Sequence, residues 1–367
     1  MNTQFLHGIQ VQEIESGTRV IKTTKSSVIG IIGTAPKASV ADFPLNTPVI
    51  VATKKAAEKL GNEGTLLDSI NGIFNQIGAI VVVRVGSGVE YEEDVIDGLE
   101  AFLAAESTCF VKPKILIAPG FSSTKDVLTE MIVVAEKLKA IVVADNKNTT
   151  DVESVAYAKE FGSSRVYMVD PWVKVGDKTL PPSPYVAGLI AKSDNENGFW
   201  RSPSNQEILG ITGIARPIDF SFGDSSCSSN FLNENNVATI IHQNGYRLWG
   251  NRSTSSDSKW SFLSVRRTAD MINESLLKAH LWAIDRNITR TYISDVCESV
   301  NAYLASLKSQ GAILGGVCYA ASAYETNTKE NILDGKIVFD FEFTPPYPAE
   351  HIVFRSYLTD DYIKEVI

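Results

Sequence analysis

From Ser26 onward, short apolar runs alternate with longer stretches in which apolar residues recur every three or four positions. Residues 28–32, closed by Gly33, and 48–52 read as strands. Residues 53–60 and 66–76 read as helices, the second with Leu66, Leu67, Ile70, Ile73 and Phe74 on one face. The continuous apolar run 79–85, ending at Gly86, has the pattern of a strand buried on both faces. The alternation then repeats: helix over 92–105, strand over 114–118, helix over 124–138, strand over 140–144, helix over 151–161 and strand over 165–169. Strands separated by helices of this length predict βαβ units and a mostly parallel, helix-covered sheet, an α/β fold.

Between 171 and 259 the regularity drops and Pro, Gly, Ser and Asn accumulate. So long an irregular region is uncommon inside a compact domain and normally serves a function or a partner. Two helical patterns follow, over 268–284 and 294–307, the second ending near Gly311 with Val296, Val300, Tyr303, Leu304 and Leu307 as its apolar stripe. After a further apolar run, 314–321, comes a β-rich terminus. There Ile337, Phe339, Phe341 and Phe343 alternate with Val338, Asp340 and Glu342, the period of a half-buried strand. Pro345, Pro346 and Pro348 stop that run, the β-rich pattern resumes over 352–358 with Ile352, Phe354 and Leu358, and 362–367 is an apolar tail. No partner strand stands beside this terminus in the sequence. The N-terminus has the same character, with Ile9, Val11 and Ile14 in a segment that reads as extended. Strands at both ends of a chain need sheet partners, and the reading is a building block of an assembly that offers them to neighbours.

At 367 residues the chain is expected to hold more than one compact unit, since single cores stop growing at roughly 250–300 residues. A net charge of −9 without a basic stretch to offset it argues against nucleic-acid binding. Cys109, Cys227, Cys297 and Cys318 show no CxxC spacing and no nearby histidine pair, so neither a zinc site nor a disulfide framework is indicated, and a reducing interior is the expected place of synthesis. The start lacks the pattern of a signal peptide, and no run approaches the about 18 apolar residues of a membrane span. The sequons at Asn148, Asn251 and Asn287 then read as chance matches.

Candidate chemistry is sparse. Gly86, Ser87 and Gly88 follow a strand and precede a helix, the place of a phosphate-binding turn, and a nucleotide-binding α/β enzyme using this turn is the alternative function. The third glycine and a following lysine are missing, and Glu90, Glu92, Glu93 and Asp94 crowd the helix start, where they would repel a phosphate. Asp145 and Asp170 end predicted strands, where α/β enzymes place catalytic groups. Ser122, Ser123 and His242 complete a hydrolase set only on paper, because no Gly-x-Ser-x-Gly elbow is present and His242 reads as packing at a strand end. The aspartates read as caps of helices or turns. His7, His242, His280 and His351 share no ligand spacing, so no metal and no cofactor are expected. Trp249, Trp260 and Trp282 lack grouped basic neighbours and read as packing residues.

The irregular middle carries a resemblance. The runs Ala187-Gly188-Leu189-Ile190-Ala191, Asn197-Gly198-Phe199-Trp200-Arg201-Ser202-Pro203-Ser204-Asn205 and Gly213-Ile214-Ala215-Arg216-Pro217 resemble the corresponding stretch of contractile tail sheath proteins. So do Leu232-Asn233 with Asn235-Asn236, Gly245-Tyr246-Arg247-Leu248-Trp249-Gly250-Asn251-Arg252, Val265-Arg266-Arg267-Thr268-Ala269-Asp270, and earlier Leu116-Ile117-Ala118-Pro119-Gly120. They run in family order over most of the chain, whose compact length is similar to the sheaths of simple contractile-tail phages and R-type bacteriocins.

The resemblance implies a structural subunit and no enzyme. Such subunits stack as helical rings around an inner tail tube, and the sleeve contracts to drive the tube through a target cell envelope. It implies a homo-oligomer whose further partners are baseplate and tail terminator proteins, with no nucleic acid and no membrane insertion, located in the tail sheath of a particle assembled in the bacterial cytoplasm. The layout expected is an N-terminal linking arm (1–25), an N-terminal α/β segment (26–90), an outer α/β sheath domain (91–264), a smaller inner, tube-facing α+β C-terminal domain (265–343) and a C-terminal linking arm (344–367). Inter-subunit strands would use Ile9, Val11, Ile14, Ile337, Phe339, Phe341, Ile352, Phe354 and Leu358. The helix over 294–311 would face the tube, with Lys308 near its C-terminal end as the candidate partner of tube carboxylates.

Overall fold

The computed structural model describes residues 21–76, 80–88 and 91–365. They divide into two compact units: Ser26–Arg267 with the segment from Tyr347 onward, and Thr268–Pro346 with residues 21–25.

In the larger unit, strands β1 (Ile29–Thr34), β2 (Pro48–Val51), β3 (Ile80–Val85), β4 (Ile115–Ile117), β5 (Ile141–Asp145) and β6 (Val166–Val169) lie in one sheet. A side sheet of three strands is built from β7 (Val173–Val175), β8 (Lys178–Leu180) and β9 (Gly213–Ile214). Strands β10 (Val237–His242) and β11 (Tyr246–Trp249) then return to the main sheet, giving the eight-stranded order β11-β10-β6-β5-β4-β1-β3-β2. Its inner strands are parallel, while β2 and β11 run antiparallel at the two edges. The strands of 26–90 thus share a sheet with those of the region beyond 91.

Both faces are covered, which is why β1, β3, β5 and β6 are buried along their whole length and show no alternation in the sequence. Short α1 (Lys54–Ala57), capped by the Thr53 hydroxyl, precedes α2 (Leu66–Phe74). The other face carries α3 (Tyr91–Leu99), short α4 (Ala105–Cys109), α5 (Lys125–Leu138) and α6 (Asp151–Ala158). Helix α6 opens on a capping box in which Thr150 and Glu153 satisfy each other's backbone donors.

The largest departure from the sequence expectation is α7 (Ser183–Asn197), which lies in the region expected to be irregular. Its residues Ser183 to Ala191 are all buried, so it has no polar face to produce a 3.6-residue stripe. It packs with α2 on the face of the sheet lined by Ile29, Ile31, Val143 and Tyr167. Gly72 of α2 makes the approach possible, because a Cβ there would lie 2.8 Å from the Tyr185 ring of α7. After short α8 (Ser228–Glu234), β10 supplies a further core strand that the composition of this region concealed.

Helix α9 (Leu263–Ala279) starts before the predicted position 268, and the division between the units falls within it. The smaller unit continues with α10 (Arg290–Ser309), β12 (Gly315–Ala320), short α11 (Lys329–Leu333) and β13 (Phe339–Thr344). The Thr289 hydroxyl caps α10, whose buried residues include Val296, Val300, Tyr303, Leu304 and Leu307, the stripe expected from the sequence.

Candidate functional site

Strand β13 finds its partner within the chain: it pairs antiparallel with β12, Val317 opposite Glu342, Cys318 opposite Phe341 and Tyr319 opposite Asp340. The terminus therefore does not begin without a partner; the pairing strand lies upstream, across α11. Ile337 falls just before the strand, beside Val338, whose N–H and C=O both bond the Asn327 side chain while its C=O also accepts from Ala321 N–H at 3.0 Å. Phe339, Phe341 and Phe343 are half-buried and alternate with exposed Asp340, Glu342 and Thr344. The rings of Phe341 and Phe343 stack at 6.1 Å.

The two edges of this hairpin are not equivalent. On the β12 side, Cys318 N–H donates to Asn301 Oδ1 (2.7 Å) and Asn301 Nδ2 donates to the Cys318 carbonyl (2.9 Å). Both backbone groups of Cys318 thus turn away from β13, which makes Cys318 opposite Phe341 a non-hydrogen-bonded pair. By the same parity, the N–H and C=O of Phe339, Phe341 and Phe343 point outward from the β13 edge. Among the described residues, β13 pairs with β12 alone, so this row is open, whereas α10 closes the middle of the β12 edge with a side-chain amide.

Beyond Pro345 and Pro346 the chain belongs to the larger unit. Tyr347 meets Phe262 edge-on at 5.8 Å, and Arg252 donates to Glu350 through Nε (3.0 Å) and Nη2 (2.7 Å) with its guanidinium over the Phe262 ring. This is the last side-chain anchor before a stretch, 351–360, with no regular structure. The strand expected over 352–358 does not form, since an extended segment with no neighbouring strand gains no ladder bonds. Its apolar side chains are left in solvent: Ile352 and Val353 are about two-thirds exposed, and Phe354 and Leu358 are almost wholly so. A short 3-10 turn, Asp361–Glu365, follows. The N-terminal arm residues Ile9, Val11 and Ile14 lie outside the described residues. Lys308 is exposed in the last turn of α10, where a cation complements the helix carbonyls.

The residues weighed for enzymatic chemistry are engaged in structural roles. Gly88 N–H donates to the Asp94 carboxylate at 3.4 Å, and a Cβ on Gly86 would strike the same carboxylate. An aspartate of the chain's own therefore fills the place a phosphate would take. Asp145, fully buried, accepts from Gly120 N–H (3.0 Å), Ser122 Oγ (3.1 Å), Ser183 N–H (2.8 Å) and Ser183 Oγ (2.8 Å), tying the loop after β4 to the start of α7. Burial pushes its carboxyl up to about 6 against the lowering effect of those bonds. Burial likewise raises Asp170 to about 6, while Arg216, paired with both Asp170 and Asp151, pulls the other way. Ser122 does meet Asp145, but His242 is exposed at the end of β10 against Tyr246, its rings 4.8 Å apart. A cavity of about 200 Å³ lies at the carboxyl ends of β1 and β4, lined mainly by Pro119, Trp172, Pro181, Pro184 and Tyr185. Its one carboxylate, Asp68, pairs with Lys178 at 2.7 Å. Among the described residues no group of His, Cys, Asp or Glu is arranged to hold a metal, and no helix is long and apolar enough to cross a membrane.

The comparisons with known proteins decide the family. Residues 91–254 match the phage tail sheath protein central domain and residues 255–359 the phage tail sheath C-terminal domain. A Pseudomonas aeruginosa (strain UCBPP-PA14) protein named for the prophage major tail sheath is 41% identical, with 99% of each chain covered. The chain belongs to the phage tail sheath family. The tail sheath protein of Escherichia phage P2 is 33% identical over 100% of this chain and 98% of its own. Among solved structures, the helical sheath of the anti-feeding prophage in its contracted state has the same fold, with a TM-score of 0.76 at 19% identity over 98% of this chain and all of that one. The tail sheath fold thus accounts for the α/β architecture, and the family is that of a structural protein of contractile tails.

Sequence reasoning found the tail sheath resemblance but missed two features of the site. Asn301 gave no signal, because its role depends on a strand seventeen positions away. Nor could spacing reveal that the thiols of Cys297 and Cys318 lie side by side.

Proposed function

We propose that this chain polymerises as stacked helical rings around an inner tail tube and contracts to drive that tube through a target cell envelope, its subunits linked by strand addition. The observation that carries the reading is a complementary pair within one tail sheath chain. Among the described residues the β13 edge offers an open row of backbone donors and acceptors, and the apolar segment beyond Glu350 has no strand partner. Seating such a segment on a neighbour's β13 edge satisfies both, each backbone hydrogen bond contributing about 0.5–1.5 kcal/mol net. Such a heterologous contact, where it does not close on itself, propagates into an open helical filament.

In this reading Ile352, Phe354 and Leu358 belong to the donated segment, Phe339 and Phe341 to the receiving strand, and Ile9, Val11 and Ile14 to a second arm. Arms that stay engaged let the bodies they link rotate during contraction, about hinges in 344–350 and in 16–24, of which 16–20 lie outside the described residues. The free energy of contraction is stored at assembly and released as new contacts between the α/β domains, with no nucleotide needed. The larger unit faces outward and α10 inward, with Lys308 presented to carboxylates of the tube. Baseplate and terminator proteins close the ends of the sleeve, and the site of action is the particle tail.

The test is electron microscopy of the full chain beside a variant ending at Glu350. The full chain is expected to form ordered sleeves, and the truncated chain to remain a folded, unpolymerised subunit. Ordered sleeves from the truncated chain would refute the role of the C-terminal arm.

A further inference from the structure

We propose that Cys297 and Cys318 are a reversible disulfide site that staples α10 to the β12–β13 hairpin. Asn301 grips the backbone of Cys318, and Cys297 stands one helical turn before Asn301 on the same helix, so the amide that fixes the strand also fixes the distance between the two cysteines. Cys318 is 4% exposed, on the face of β12 shared by Gly316, where an added Cβ would come within 3.4 Å of Leu304 of α10. Its thiol lies beside that of Cys297, and Cys297 is only partly buried. Cys297 is the more accessible of the two residues and Cys318 the more buried, the order of an attacking and a resolving cysteine. The remaining cysteines are solitary: Cys109 donates to the Pro48 carbonyl, and Cys227 contacts Asp224 and Ser229.

The oxidant is a small-molecule disulfide. The Cys297 thiolate attacks one of its sulfurs, forming a mixed disulfide and expelling the first small thiol. The sulfur of Cys318 then attacks that of Cys297, forming the intramolecular bond and expelling the second. Two protein thiols lose two protons and two electrons in all, and the reagent is reduced to two thiols. Burial pushes the Cys318 thiol up to about 12, so the second step quickens as the pH rises. A two-stranded sheet is marginal by itself in water. The link adds a covalent bond where the hairpin otherwise rests on packing and the Asn301 amide.

The experiment treats the full-length chain with oxidised glutathione in mildly alkaline buffer, alkylates it in denaturant and maps the peptides by mass. Free thiols are expected to fall from four to two, with one linked peptide pair carrying Cys297 and Cys318, restored by a reductant. Hydrogen exchange at Gly315–Ala320 is expected to slow on oxidation. A Cys109→Ser, Cys227→Ser chain should link identically, and Cys297→Ser should not link at all. Four thiols remaining, a glutathione adduct persisting on Cys297 beside a reduced Cys318, or a link between other cysteines would overturn the proposal.

Discussion

Arg267 lays both terminal nitrogens of its guanidinium across the carboxylate of Asp194, the Nη1 bond measuring 2.6 Å, with both side chains almost wholly out of solvent. Nη2 also donates to the Ser26 carbonyl at 3.2 Å. One arginine at the start of α9 thereby joins the late turns of α7 to the residue that opens the β1 region. Removing one partner of a buried pair leaves the other charge without compensation. Arg267→Ala is expected to destabilise the larger unit by about 3–5 kcal/mol, whereas Arg267→Met with Asp194→Leu should recover most of the loss. Urea unfolding followed by tryptophan fluorescence checks this, because Trp172, Trp200, Trp249 and Trp260 all lie in that unit.

Asp145 makes stability depend on pH. Its carboxyl is raised from 3.8 to about 6 by burial, so the folded state holds the proton more tightly than the unfolded state. The contribution is fully present below about pH 3.8 and is lost as the pH rises through about 6. Asp145→Asn removes this titration. The difference in melting temperature between the parent and the variant should therefore shift in the parent's favour as the pH is lowered from about 7 to about 4. A difference that stays flat across that window would contradict the assignment.

Gly72→Ala sets two effects against each other. Alanine gains about 1 kcal/mol of helix propensity in α2. Its methyl group would, however, sit 2.8 Å from Tyr185 Cζ, so that buried ring would have to shift. Overpacking of this kind costs about 1–3 kcal/mol, so a net loss is expected. In a Tyr185→Ala background the same change should stabilise, which a four-member denaturation series would measure.

The hairpin edge permits a sharper test than truncation. Phe341 N–H points away from β12, so Phe341→Pro spares the β12–β13 ladder while removing a donor from the open edge. Glu342→Pro removes a donor from within the ladder and should loosen the hairpin itself. Phe341→Pro is expected to retain β-structure by hydrogen exchange yet fail to polymerise, and Glu342→Pro to lose both. Sleeves formed by Phe341→Pro would show that strands are not added at this edge.

Much of the fold was legible because it rests on local signals. The runs at β1, β3, β5 and β6 are apolar throughout, since both faces of a parallel sheet are covered, and the α10 stripe repeats at helical spacing. Helix α7 was illegible for the opposite reason: buried on all sides and opened by Pro181-Pro182-Ser183-Pro184, it offers neither an amphipathic stripe nor a clean start. The expected strand at 352–358 failed to form because strand propensity becomes a strand only when another backbone lies beside it.

The sequence by itself determined the α/β alternation, the half-buried period of Phe339, Phe341 and Phe343, and the tail sheath resemblance, all of which follow from the order of residues along the chain. Only the tertiary structure decided that β13 pairs with β12, that Asn301 closes one edge of the hairpin and leaves the other open, that Asp94 occupies the Gly86 turn, and that Cys297 meets Cys318. Each of these depends on groups brought together from separate elements, and hydrogen bonds and thiol contacts between such groups act over a few ångströms, a distance that position along the chain does not encode.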